Sequence, residues 1–376
     1  MDDELEDELV QEIFWAHVSL VSRAARTDLR PMADTAAFYL RLYVLRPGTL
    51  AVFVALLAAV LLCQSTTEAW LRLLLRRCEL RSDAVKQMLR RGPPERRSWE
   101  AKAERVGVYA LQGRRPRMED RFSILSDKPH DLHLYGVFDG HGGEVASEYA
   151  QQHLFASLMP RLVGAVERRR PGEPMEQLLP EFTQLLTDAI LQLDSELLAI
   201  LKERHDLSGS TLLVALVHGS RLVVANVGDS RGVLADARGL AVPLSFDHKP
   251  QQLKEHKRIR EAGGFITFNG VWRVAGVLAT SRALGDYPLK ERHLLVAQPD
   301  VLTFDLSGGA TCAVLASDGL WDALSNEQAA ALALAHLDEP LYGARELALR
   351  AYTAGSLDNI TALVVDLRNT SVKVNG

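Results

Sequence analysis

The chain has 376 residues, of which 47% are hydrophobic, and its formal net charge is −5. This length is enough for one large core or two domains, and the mild acidity argues against nucleic acid as a partner. The three cysteines, Cys63, Cys78 and Cys312, are scattered and lack metal-ligand spacing. They indicate neither a disulfide framework nor a thiolate zinc site, and they favour a reducing compartment.

The N-terminal part of the chain predicts a membrane anchor. Residues 1–46 form an amphipathic segment that is acidic first and then rich in arginine and aromatic residues. An unbroken apolar run follows at residues 50–63, and with its neighbours it predicts one transmembrane helix over residues 47–65. A run of about 17 residues is near the lower limit for crossing a bilayer, and it suits the thin endoplasmic reticulum membrane. A buried or surface-lying helix is the alternative.

Residues 66–104 are basic and predict a juxtamembrane linker, either solvated or lying against anionic lipid headgroups. The arginines that flank the apolar run weakly favour a cytosolic location for its C-terminal side under the positive-inside rule. A glycosylation acceptor sequence at Asn359–Thr361 leans the same way, because a lumenal domain would risk a glycan there. We therefore expect a single-pass protein of the endoplasmic reticulum with its larger part in the cytosol. The arginines after the run are Arg72, Arg76, Arg77 and Arg81, and those before it are Arg41 and Arg46.

From about Val106 the chain predicts an α+β domain over residues 105–368, followed by a tail at residues 369–376. Short β-rich stretches such as VGVYALQG, LHLYGVFD and NITALVVDL alternate with turn residues. Two longer helical stretches, which begin near Glu144 and Met175, are inserted as blocks. Strand pairs joined by tight turns, with helices between them, indicate antiparallel sheets covered by helices.

Acidic residues stand where apolar stretches meet turns. One Asp-Gly pair is ordinary turn chemistry, but carboxylates gathered from five turns need a multivalent cation to neutralise them. Oxygen donors without a Cys or His cluster fit magnesium or manganese and do not fit zinc. Two such ions can activate water to attack a phosphate ester. The residues are Glu119, Asp120, Asp139, Asp229, Asp318, Asp322 and Asp358.

Short motifs then follow one another in a characteristic order: RPRMEDRF, VFDGHGGEVA, GST, NVGDSRG, DHKP, AGG, TSRALGDYPLK, ASDGLWD and DNIT. From roughly Val106 to Leu367 the chain resembles the metal-dependent protein serine/threonine phosphatases of the PPM, or type 2C, family. The anchor ahead of this domain resembles the membrane-anchored epsilon-type branch. The resemblance implies a β-sandwich of two antiparallel sheets flanked by helices, in an α/β/β/α arrangement.

The resemblance also implies two Mg²⁺ or Mn²⁺ ions per active site. On the matching positions, Asp139 bridges both ions and the carbonyl of Gly140 ligates one of them. Asp318 and Asp358 bind the other ion. The bridging position of Asp139 makes this residue the centre of the expected site.

Further ligands follow from the same resemblance. Glu119 and Asp120 are expected to hold metal-bound waters, directly or one layer out. A weaker third ion is expected between Asp229, Asp322 and Asp318. No position of these motifs carries a disabling replacement, so the resemblance implies an active enzyme.

Two residues are expected to act on the substrate. Arg115 would grip the phosphate, since a guanidinium can bind it through two hydrogen bonds, although the neighbours Arg114 and Arg117 are alternatives. His141 would be the general acid that protonates the departing serine or threonine oxygen, with a helix-capping or packing role as the alternative. Asp286, in TSRALGDYPLK, is expected to brace the site rather than to react.

The resemblance implies a monomeric enzyme that acts on phosphoserine and phosphothreonine in proteins, with signalling kinases as expected substrates. A catalytically weak binding module with the same fold is the alternative, and the loss of a metal carboxylate would favour it. Other phosphohydrolase classes are disfavoured because the chain lacks a D-x-D-x-[TV] motif and a G-x-x-x-x-G-K-[ST] loop.

Overall fold

The computed structural model describes residues 97–170 and 175–368 of the chain. The predicted amphipathic segment, the anchor at 47–65, most of the linker and the tail at 369–376 lie outside these residues. Within them, no helix is both long and apolar enough to cross a bilayer.

Two antiparallel sheets form the centre of the domain. Sheet I has six strands, which are, in spatial order, β1 (Ser98–Ala103), β2 (Val106–Leu111), β16 (Ile360–Asp366), β15 (Ala310–Ala316), β9 (Arg231–Asp236) and β10 (Ala241–Pro243). Sheet II has five, which are β14 (Asp300–Asp305), β8 (Arg221–Val227), β7 (Leu212–His218), β4 (Leu132–Phe138) and β3 (Arg121–Asp127).

Two smaller β structures lie outside the main sheets. The first is a short three-stranded sheet in the order β13 (Leu284–Gly285), β6 (Gly209–Ser210) and β5 (Gly140–His141). The second is an isolated hairpin of β11 (Ile266–Asn269) and β12 (Val271–Val274). The short sheet bonds the segment after β4 to the segment before β7 and to the segment before Tyr287, so residues far apart in the chain meet at one place.

Helices cover the outer face of each sheet. The helices of the described residues are, in chain order, α1 (Val145–Arg168), α2 (Leu179–Arg204), α3 (Leu253–Glu261), α4 (Tyr287–Lys290), α5 (Asp318–Trp321), α6 (Asn326–Ala335) and α7 (Ala344–Ala354). Helices α1 and α2 cover one sheet, and α5, α6 and α7 cover the other. Short 3₁₀ turns occur at Met175–Leu178 and Leu306–Gly308. The two long helical stretches predicted from the sequence correspond to α1 and α2.

Three apolar layers hold the sandwich together. Between the sheets, Val108 and Leu363 of sheet I belong to the same buried cluster as Val137 and Leu213 of sheet II. A second cluster packs α1 and α2 on sheet II, and a third packs α5, α6 and α7 on sheet I. Strands buried on both faces require continuous apolar runs, and every residue of Leu212–His218 is buried. The predicted antiparallel sheets flanked by helices are therefore confirmed.

One strand lies where the sequence predicted linker. Ser98–Ala103 pairs along its whole length with Val106–Leu111 and forms the edge of sheet I, inside the range 66–104. Its sequence, SWEAKA, contains no apolar run, and each of its residues is partly or fully exposed. Edge strands depend on backbone pairing and need little burial. Apolar patterning therefore gave no signal for β1.

Candidate active site

A cleft of about 450 Å³ opens where strands of both sheets end. Asp139 follows β4, Asp229 follows β8 after one glycine, and Asp318 begins α5 with one residue separating it from β15. The cleft brings together eight of the ten residues that the sequence suggested. These are Arg115, Glu119, Asp139, Gly140, His141, Asp229, Asp318 and Asp358.

The turn that carries Asp139 is fixed by hydrogen bonds from a neighbouring strand. The amide of Asp139 donates to Oγ1 of Thr211 at 3.2 Å, and the amide of Thr211 donates to the carbonyl of Asp139 at 2.9 Å. The Thr211 hydroxyl is bonded in turn to Oγ of Ser230 at 2.7 Å. The GST motif therefore holds the turn that carries Asp139 in place.

Gly140 cannot be replaced without moving this turn. A Cβ there would lie 2.4 Å from the carbonyl oxygen of Glu119 and 2.6 Å from Oγ of Ser147. Gly142 has a positive φ of 67°, which favours glycine for a different reason. Two of the glycines in VFDGHGG therefore serve close approach and backbone conformation, while Asp139 and His141, on either side of Gly140, line the cleft.

Burial and neighbouring negative charge raise the pKa of two carboxyl groups in the cleft. Burial raises the pKa of Asp139 well above its usual range, and the charges of Asp120, Asp318 and Asp229 raise it further. Burial and the charges of Asp229 and Asp322 act in the same direction on the pKa of Asp318. Buried carboxylates that repel one another are stabilised by an added cation. The site is built to receive positive charge.

Two basic side chains supply part of that charge. Nη2 of Arg115 lies 2.6 Å from Oδ2 of Asp358, and Nζ of Lys249 lies 2.5 Å from Oδ2 of Asp229. Burial lowers the pKa of Lys249, but the charge of Asp229 outweighs this effect and raises it to about 12. Lys249, from the DHKP motif, is thus a charged member of the site that the sequence did not assign.

The two remaining candidates lie beside the cleft. Asp120 is 3% exposed and faces a neighbouring cavity, and its Oδ2 accepts hydrogen bonds from Ser317 and Thr361 at 2.8 Å each. Burial raises its pKa to about 6, although these hydroxyls oppose the rise. Asp322 lines a separate shallow cleft near Trp321. Both positions are outside the wall of the main cleft.

The donors fit magnesium or manganese. The acidic side chains that line the cleft offer carboxylate oxygens, and hard divalent cations prefer oxygen ligands. Across residues 97–170 and 175–368, no three acidic, His or Cys side chains converge closely enough to form a ready-made set around one ion. Two of the carboxylates are instead paired with basic side chains, since Asp358 contacts Arg115 and Asp229 contacts Lys249.

His141 is held by a buried carboxylate. Its Nε2 lies 2.7 Å from Oδ2 of Asp286, at the start of α4. Burial lowers the pKa of His141, but the charge and hydrogen bond of Asp286 outweigh burial and raise it overall. The capping alternative does not hold, since Glu144 is the N-cap residue of α1 and no side chain caps that helix. His141 remains available to the cleft that it lines.

Sequence reasoning missed Arg273. This residue of β12 lines the cleft together with Val277 and Leu278, just after the hairpin, and its Nη1 donates to the carbonyl of Val277 at 2.6 Å. Its segment, VWRVAG, carries none of the quoted motifs. Only the fold, which brings the hairpin to the cleft, identifies it as a second arginine at the site.

Comparison with known proteins supports the same assignment. The family model for protein phosphatase 2C matches residues 104–360. Protein phosphatase 1L of Bos taurus is 49% identical over 278 residues, which are 73% of this chain and 76% of that protein. Probable protein phosphatase 2C 59 of Arabidopsis thaliana is 42% identical over 261 residues, which are 69% of this chain and 78% of that protein.

A solved structure agrees with the sequence relatives. The crystal structure of serine-threonine phosphatase 2C from Toxoplasma gondii is 26% identical, with a TM-score of 0.64, and the match covers 73% of this chain and 99% of that one. The similarity to protein phosphatase 1L also confirms the predicted resemblance to the epsilon-type, 1-like branch. The chain therefore belongs to the protein phosphatase 2C family and is a protein serine/threonine phosphatase.

Proposed function

We propose that the cleft hydrolyses phosphoserine and phosphothreonine esters with a binuclear Mg²⁺ or Mn²⁺ centre. Asp139 would bridge the two ions, the Gly140 carbonyl would bind one, and Asp318 and Asp358 would bind the other. Bound there, the ions would supply positive charge and an activated water molecule. The observation that carries this proposal is the convergence of buried carboxylates on Asp139, whose charges raise its pKa.

The remaining acidic residues would support the same centre. Glu119, in the cleft wall, and Asp120, behind it, would hold water ligands of the ions. Asp229, Asp322 and Asp318 would form a weaker third cation site. The Asp229 carboxylate already has a cationic partner in Lys249, so a third ion would compete with that ammonium group and bind weakly.

Arg115 and His141 would act on the phosphate ester itself. The Arg115 side chain is 53% exposed at the cleft, and its guanidinium can exchange Asp358 for phosphate oxygens. His141 would donate a proton to the departing serine or threonine oxygen, because an alkoxide leaves poorly without one. The presence of every candidate carboxylate counts against the alternative of a catalytically weak binding module.

The test is a phosphopeptide assay on the full-length protein. Turnover should stop in excess EDTA and return with added Mn²⁺ or Mg²⁺. Asp139→Asn should abolish turnover while thermal unfolding shows an intact fold, because the change removes the central charge and keeps the side-chain shape. Full activity in excess EDTA would overturn the binuclear proposal.

We also propose a cellular setting. Residues 47–65 would anchor the protein in the endoplasmic reticulum membrane, with the phosphatase domain in the cytosol, where it would act as a monomer on phosphorylated signalling kinases. The apolar run at residues 50–63 and the short span that it allows support this setting.

A further inference from the structure

One contact in the wall of the cleft joins His141 to Asp286. Nε2 of His141 and Oδ2 of Asp286 are 2.7 Å apart, and the two side chains are 26% and 9% exposed. A carboxylate can only accept a hydrogen bond, so Nε2 must carry the proton in this pair. Among the residues that the structure describes, no hydrogen bond involves the other ring nitrogen, Nδ1. The pair therefore leaves Nδ1 as the nitrogen for chemistry in the cleft.

The surrounding backbone is shaped to allow this contact. A Cβ on Gly209 would lie 2.0 Å from Oδ2 of Asp286 and 2.3 Å from Nε2 of His141. Gly209 is paired with His141 in the short three-stranded sheet. Any other residue at position 209 would therefore have to separate the imidazole from the carboxylate.

Asp286 also adopts an uncommon backbone conformation to reach His141. Its φ of 53° and ψ of 46° are left-handed, a region that most non-glycine residues avoid and that Asp and Asn tolerate best. Its amide donates to the carbonyl of Ser208 at 3.0 Å. This strain is retained at the residue whose side chain holds His141, which is typical of functional positions.

A buried ion pair holds the segment from behind. Asp194, in the middle of α2, accepts from the amide of Gly285 at 2.8 Å and from Nζ of Lys290 at 2.5 Å. The Asp194 and Lys290 side chains are each 9% exposed. Asp286 lies between these two contacts in the sequence, so α2 fixes the loop on both sides of it.

We propose that Asp286 is a positioning residue that fixes the orientation and tautomer of His141 for proton donation from Nδ1. This inference rests on the proposed role of His141 as general acid. In that step the phosphorus–oxygen ester bond breaks as a bond forms from phosphorus to the oxygen of water. The Nδ1 proton passes to the departing serine oxygen, and a proton released by the water restores the imidazolium. Nε2–H stays bonded to Asp286 throughout.

The test compares two substrates in the full-length protein. A phosphoserine peptide needs a proton on its leaving oxygen, whereas p-nitrophenolate leaves without one. Asp286→Asn keeps the shape and the tolerance for left-handed backbone but removes the obligate acceptor. It should lose a large part of the ~10²–10⁴-fold benefit of general acid catalysis on the peptide, with little loss on p-nitrophenyl phosphate. Gly209→Ala, which displaces the pair while keeping both side chains, should show the same selectivity.

Two further variants separate positioning from folding. The double variant His141→Ala with Asp286→Asn should be no slower on the peptide than His141→Ala alone, because Asp286 acts through His141. Glu291→Gln is the matched control, since it removes an exposed carboxylate from the same segment, where Glu291 forms an ion pair with the exposed Lys202. It should behave as wild type on both substrates.

The failures are distinguishable. Equal loss on both substrates for His141→Ala would overturn the general-acid proposal and this inference with it. A substrate-selective loss for His141→Ala, combined with an equal loss or no loss for Asp286→Asn and Gly209→Ala, would overturn the positioning role alone. Thermal unfolding of each variant reports whether an equal loss comes from misfolding, and such misfolding in both Asp286→Asn and Gly209→Ala would assign the pair to the fold instead.

Discussion

At the scale of single residues, the fold separates three arginines that the sequence could not tell apart. The guanidinium of Arg114 lies 4.3 Å from the centre of the Tyr352 ring and donates to the backbone of α7. Arg117 lines the cavity beside Trp99. Only Arg115 of the three lines the cleft with the carboxylates, so the structure favours Arg115 as the phosphate ligand.

Arg115→Ala should therefore lower kcat/KM for a phosphopeptide. Loss of a hydrogen bond to a charged group is worth about 1.5–3 kcal/mol, or roughly 10- to 150-fold. The kcat/KM of Arg115→Lys should lie between those of wild type and Arg115→Ala, because an ammonium group keeps the charge without the paired hydrogen bonds of a guanidinium. Steady-state kinetics with Arg117→Ala as the control checks this expectation. A loss for Arg117→Ala as large as that for Arg115→Ala would contradict it.

The carboxylates were predictable and their partners were not. Asp139 follows an apolar run directly and Asp318 follows one after a single serine, so local patterning places them at strand ends. The contact of His141 with Asp286 spans 145 positions in the sequence, and no local pattern encodes a distance of that kind. The same reason explains why Arg273 escaped notice, since its place in the cleft depends on how the hairpin packs.

At the scale of elements, α3 is tied to the segment before α4 by one buried carboxylate. Glu255 is 3% exposed. Its Oε1 accepts from Nε and Nη2 of Arg282 at 3.0 and 2.7 Å, and its Oε2 accepts from Arg258 at 2.9 Å. Arg258 also donates to the carbonyl of Ser281 at 2.7 Å. The short polar helix, which buries little else, is thus held mainly by charge-assisted hydrogen bonds.

Glu255→Gln should lower the free energy of unfolding by about 3 kcal/mol at neutral pH, because it removes the buried counter-charge that Arg258 and Arg282 share. Arg282 then keeps its ion pair with the half-exposed Asp300. Burial raises the pKa of Glu255, but the arginines outweigh it and lower the pKa to about 2 from its usual 4.5. A lowered carboxylate pKa stabilises the fold above pH 4.5, and this stabilisation is lost as pH falls toward 2.

Denaturant unfolding at several pH values measures this effect. The difference between wild type and Glu255→Gln should shrink as the pH falls from 4.5 toward 2. Glu261→Gln is the control on the same helix, since Glu261 is exposed and its ion pair with Lys257 is 4.0 Å long. A constant difference across this pH range would show that the charge of Glu255 is not the cause.

The elements themselves were predictable to different degrees. Strands β7 and β16, buried along nearly their whole length, were visible as apolar runs. The edge strand β1 was not, because its stability comes from pairing with β2 and not from burial. The hairpin of β11 and β12 was missed for a related reason, since Phe268, Val271 and Trp272 are exposed apolar residues and follow no core pattern.

At the scale of the whole molecule, the structure adds a constraint on where the domain can fold. The acceptor sequence Asn359–Thr361 lies inside the domain, where Asn359 is 4% exposed. Nδ2 of Asn359 donates to the carbonyls of Gln112 and Arg117 at 2.8 and 2.9 Å. A glycan on this nitrogen would replace one of its two N–H donors, and the buried position leaves no room for a sugar. A domain made in the lumen would expose this site to glycosylation before folding, which favours the cytosolic placement.

Sealed microsomes carrying the full-length protein test this placement. Trypsin added without detergent should cut within the arginine-rich stretch at 66–96 and release the phosphatase domain into the supernatant, while an epitope tag at the N-terminus stays with the vesicles. Before digestion, alkaline carbonate should leave the protein in the membrane pellet, because the span at 47–65 is expected to cross the bilayer. A lumenal marker that survives trypsin until detergent is added shows that the vesicles are sealed.

If the phosphatase domain is protected until detergent is added, the domain lies in the lumen and the proposed topology is wrong. Extraction by carbonate would instead favour the buried or surface-lying helix, and neither result would alter the chemistry of the cleft.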